Sequence, residues 1–80
     1  MSETGARYAI VRRALELLSN SPDGATEALL MAYGFESTVI AGLVESGFAT
    51  LTTEVVLAGR RPVDMKRLRL SDLGRKVLGQ

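Results

Sequence analysis

Two Gly-Phe pairs, Gly34-Phe35 and Gly47-Phe48, divide this chain and constrain its fold more than any other feature. Each pair follows a stretch of helical character. A glycine just past a helix takes up the left-handed conformation that ends it, and the apolar residue after it folds back on the last turn. The same stop used twice predicts two short helices in tandem, at about residues 26–33 and 37–46. Thr26 suits the N-cap of the first, because its hydroxyl accepts from an orphan backbone N–H. Glu27 then lies in the first turn, where the helix dipole favours negative charge. Val39, Ile40, Leu43 and Val44 give the second helix an apolar face.

The flanks follow from periodicity. From Arg7 to Leu18, Ile10, Ala14, Leu17 and Leu18 recur at helical spacing. Asn20-Ser21-Pro22-Asp23-Gly24 breaks that helix with turn chemistry. After Phe48 the period changes. Leu51, Thr53, Val55 and Leu57 alternate over a β-branched segment and read as a strand. Gly59-Arg60-Arg61-Pro62 reads as a turn or loop, with Pro62 outside the ladder for want of a backbone donor. Val63 to Leu70 reads as the returning strand. Its two apolar phases, Val63 and Met65 against Leu68 and Leu70, suggest a bulge or a loop reaching Met65. Ser71 caps a last helix to about Leu78, and Leu73, Val77 and Leu78 are expected to dock on the core.

At 80 residues the chain allows one domain. Such a chain buries only about 60–65% of the surface its unfolded form exposes, so a second copy could add stability. The absence of Cys and His removes thiol nucleophiles, disulfides and the usual zinc and haem ligand sets. A Ser-His-Asp triad cannot be built from this chain alone. No enzyme activity, cofactor or metal is expected. The longest apolar run, Ala28 to Tyr33, has six residues, where a membrane span needs about 20. No membrane association and a cytoplasmic location are the default expectations.

Helix, helix, helix, hairpin, helix resembles a winged helix-turn-helix domain. The resemblance is carried by Ala28 to Phe48 and by Leu68-Arg69-Leu70-Ser71-Asp72-Leu73-Gly74-Arg75-Lys76-Val77-Leu78. The latter is similar to the segment of bacterial winged-helix regulators in which the last wing strand enters the next helix. The resemblance implies an α+β, mostly α fold. Its three-helix core would carry a two-stranded β-hairpin wing and a short C-terminal helix. Residues 6–80 would form this single domain and residues 1–5 a loose end. It also implies that the third helix enters the DNA major groove while the wing touches the backbone or minor groove.

The residues support that implication unevenly. The outward positions of the third helix, Glu36, Ser37, Thr38, Ala41, Gly42, Glu45 and Ser46, include no Lys, Arg, Asn or Gln, the usual readers of bases. Ser37 and Thr38 could donate to phosphate, or could simply cap the helix and fill its first turn. Gly42 costs roughly 1 kcal/mol relative to Ala in a helix. It would serve either tight packing within the chain or close approach of another backbone. The wing is more promising. Arg60, Arg61, Lys66, Arg67 and Arg69 fall within ten residues, and residues 51–80 carry +4 against −3 for residues 1–50. Such a hairpin could neutralise phosphates, or its charges could guard sheet edges against aggregation.

Seven residues are therefore candidate DNA contacts: Ser37, Thr38, Arg60, Arg61, Lys66, Arg67 and Arg69. Tyr8 and Tyr33 suit core or interface packing. The apolar residues of the wing exceed what one face of a ribbon can bury, and a homodimer formed through helix 1, the wing, or both is expected. The sequence thus supports a small DNA-binding transcriptional regulator. The competing reading is a dimeric protein–protein interaction module that never touches DNA. No small-molecule ligand is inferred.

Overall fold

The computed structural model describes residues 3–79, with side chains from Tyr8 onward. The chain runs α1 (Glu3–Ser19), β1 (Ala25–Thr26), α2 (Glu27–Ala32), α3 (Ser37–Glu45), β2 (Ala49–Ala58), β3 (Arg61–Leu70) and α4 (Asp72–Leu78). The expected three-helix core with a two-stranded wing and a short C-terminal helix is therefore incorrect. Among the described residues four helices accompany one three-stranded antiparallel sheet, ordered β1-β3-β2. Two residues between the first and second helices, Ala25 and Thr26, pair with Leu68 and Arg67. That pairing is set by packing and has no sequence period of its own. α1 begins at Glu3, so the expected loose end at residues 1–5 is helical from its third residue. Met1 and Ser2 lie outside the described residues.

The two Gly-Phe stops close as their chemistry requires. Gly34 and Gly47 have φ of 98° and 79°. After α2, the Gly34 N–H donates to Met31 O and the Phe35 N–H to Leu30 O. After α3, Gly47 donates to Val44 O and Phe48 to Leu43 O. These pairs satisfy carbonyls that a helix end leaves open. Both phenylalanines pack against the core. Thr26 caps α2, its hydroxyl accepting from Leu29 N at 3.1 Å. α3 is capped by Glu36, whose side chain makes no capping bond, so Ser37 is its first helical residue and not its cap.

The core is Ala14, Leu15, Leu18, Ala25, Leu30, Ile40, Leu43, Ala49 and Leu68. α1 meets it through Val11, Ala14, Leu15, Leu17 and Leu18, which include three of the four expected residues. Ile10 is exposed and the unforeseen Leu15 is fully buried. Val77 and Leu78 pack against the core as expected, but Leu73 stays 47% exposed.

Ser71 is the joint between sheet and last helix. Its N–H donates to Phe48 O at 3.0 Å, its Oγ donates to Gly47 O at 2.6 Å, and the same Oγ accepts from Gly74 N at 3.0 Å. Gly74 is buried, and a Cβ there would overlap the Phe48 carbonyl oxygen. The Ser-Asp-Leu-Gly segment is thus a packing device that fastens α4 to the end of α3.

β2 and β3 pair without a slip from Ala49↔Leu70 to Ala58↔Arg61. The expected bulge is absent, and β3 already starts at Arg61. Pro62 sits inside the ladder opposite Leu57. It is tolerated because β1 reaches β3 only at Arg67 and Leu68, which leaves the proline on an open edge. Gly59 and Arg60 form a two-residue turn, with Gly59 at φ 67°, as a Gly-first hairpin turn needs. Ten-residue strands are about 33 Å long. The molecule measures 49 × 24 × 20 Å, so the hairpin lies along its long axis.

A candidate nucleic-acid interface

Strand alternation sorts the basic residues of the hairpin. Paired residues share a face, and the buried Ala49 and Leu68 mark the face turned to the helices. Lys66 lies on that face. Arg61, Arg67 and Arg69 lie on the other. Arg60 is at the turn.

The cluster seen in the sequence is therefore dispersed, and part of it is engaged within the fold. Arg67 Nε pairs with Glu54 Oε1 at 3.4 Å. Arg67 Nη1 and Arg69 Nε both donate to the backbone oxygen of Asp23, at 3.5 and 3.3 Å. Their stems close over Gly24, where a Cβ would meet Leu68 O at 2.6 Å. These two arginines clamp the loop that leads into β1. That use was not legible in the sequence, since Asp23 offers its backbone and not its carboxylate.

Ser37 and Thr38 separate as well. Ser37 and Lys66 border one shallow hollow of about 260 Å³ between α3 and the hairpin, together with Glu27 and Glu45. A phosphate there would meet two carboxylates beside one ammonium group. Thr38 borders a different hollow, between α1 and α3. The exposed cap Glu36 and the exposed Ala41 and Glu45 of α3 offer no donor to base edges.

Arg60 and Arg61 remain. Both are exposed, and neither takes part in a salt bridge or side-chain hydrogen bond among the described residues. They sit at the end of the hairpin, away from the acidic residues of the helices. The structure therefore brings two of the seven candidates together in a free, projecting position. It pairs two more as a structural clamp and scatters the rest.

The same end of the hairpin is apolar. Val55 is 66% and Leu57 73% exposed, both on the face turned to the helices but past the core. Tyr33, expected in core or interface packing, is 63% exposed, and Tyr8 is exposed too. Among the described residues no helix is long and apolar enough to cross a membrane. No family model, curated protein or solved structure matches the chain.

Proposed function

We propose that this chain binds duplex DNA through the tip of its hairpin. Arg60 and Arg61 supply charge to the phosphates or to a narrow minor groove. The observation that carries the reading is the freedom of these two guanidinium groups at the end of the hairpin, while Arg67 and Arg69 are held by Asp23 and Glu54. The likeness of the segments Ala28 to Phe48 and Leu68 to Leu78 to bacterial winged-helix regulators is a resemblance of sequence alone and supports it only by analogy. Binding by this route depends on backbone charge and groove shape. α3, which lacks base-reading donors, contributes no direct readout.

Fluorescence anisotropy with a random-sequence duplex at low salt tests the proposal. Arg60→Ala/Arg61→Ala should abolish most binding. Arg67→Ala/Arg69→Ala should retain it. No binding by the unaltered chain, or equal binding by the tip variant, would refute it.

The exposed Val55 and Leu57 favour a second reading, in which the hairpin docks on another protein. Under that reading Val55→Lys/Leu57→Lys should abolish recovery of a nuclease-resistant protein partner. Under the first reading the same variant keeps its affinity for DNA.

A further inference from the structure

The hollow between α1 and α3 has a volume of about 580 Å³ and is lined mainly by apolar groups, among them Ile10, Val39 and Phe48. Gly42 lies on its α3 wall. Within the chain this glycine has no evident use. It sits inside a helix, its φ is not positive, and a Cβ built on it meets no atom within 4 Å. Among the described residues, tight packing within the chain, one of the two uses expected for it, is therefore not what Gly42 serves. It nevertheless costs α3 roughly 1 kcal/mol relative to Ala. Gly42 keeps a hole open.

The walls of the hollow carry opposite charges, Arg13 on α1 and Glu36 before α3. Both are exposed, and neither forms an ion pair among the described residues. At the rim of the hollow α1 presents the exposed apolar side chain of Ile10. The patch therefore contains a hole, an apolar side chain at its edge, and one charge of each sign. A partner of single charge would leave one of those charges unmatched. A second copy of the same surface, related by a two-fold axis, matches both.

We infer that this face is a homodimer interface. α1 of each protomer lays Ile10 over Gly42 of its partner, and Arg13 of each meets Glu36 of the other. The inference is independent of DNA binding, because it places the hairpin tips outside the contact.

Sedimentation equilibrium from micromolar to millimolar chain, without nucleic acid, tests it. The unaltered protein should show a monomer–dimer equilibrium. Gly42→Leu fills the hole and should weaken the dimer by about tenfold or more, the equivalent of roughly 1.4 kcal/mol. Its thermal melt should not fall, since Leu is the better helix former. Arg13→Glu and Glu36→Arg should each weaken self-association. An equimolar mixture of these two variants should regain it as a heterodimer, because both charge contacts are then matched. The mixture decides the matter even if Gly42→Leu fails to fold. A monomer throughout, a dimer indifferent to all three variants, or a mixture that fails to recover would overturn the inference.

Discussion

Gly74 and Gly42 show how differently two helical glycines can act. Gly74 has no space for a side chain, because the Phe48 carbonyl and Leu70 stand against it. Gly74→Ala should cost about 3 kcal/mol, the upper range for forcing an atom into a packed site, in a urea melt followed by circular dichroism. Ser71→Ala should cost about 1 kcal/mol by loss of the cap, with more from the Gly47 carbonyl left unpaired. Gly42→Ala should instead stabilise the monomer by up to about 1 kcal/mol. The sequence located the Gly-Phe stops and the Ser71 cap because their chemistry is local. It showed that Gly42 was costly but not that the space beside it was empty. Nor did it show that Arg67 and Arg69 reach Asp23, since that contact spans more than forty positions and ends on a backbone atom.

At the level of elements, the errors come from two kinds of ambiguity. α1 contains Ile10-Val11, Ala14-Leu15 and Leu17-Leu18, so two neighbouring stripes fit the helical period equally well. Packing chose the one through Val11 and Leu15. β3 carries apolar residues in both phases because its two ends lie in different surroundings. Leu68 and Leu70 face the helices at the base, whereas Val63 and Met65 lie on the opposite face towards the tip. A single alternation cannot describe a strand that leaves its core halfway along. β1 is two residues long and is held by β3 and by the clamp from Arg67 and Arg69. Arg67→Ala/Arg69→Ala should therefore speed amide hydrogen exchange at Ala25 and Thr26 while leaving α3 protected. Equal exchange in both proteins would show that the clamp contributes nothing. Global stability should fall by about 1 kcal/mol, as expected for long, partly exposed hydrogen bonds.

For the whole molecule, the net charge of +1 conceals a division. Most acidic residues lie with the helices, Glu54 and Asp64 belong to the hairpin, and two unengaged arginines stand at its far end. Glu27, Glu36 and Glu45 lie at the opposite end of the hairpin from the tip cations, and Asp64 is the acidic residue nearest to them along the chain. A duplex approaching the tip thus meets positive charge first. The dimer inferred from the hollow between α1 and α3 would supply two such tips to one DNA molecule, and linkage of two weak contacts raises their combined affinity. Whether Arg60 and Arg61 supply the phosphate contacts is measured directly by the salt dependence of binding. Each neutralised phosphate contributes about −0.9 to the slope of log affinity against log salt. For each protomer bound, Arg60→Ala/Arg61→Ala should make that slope shallower by about 2, while Arg67→Ala/Arg69→Ala should leave it unchanged. Equal slopes for the tip variant and the unaltered protein, or a loss confined to the clamp variant, would contradict the account.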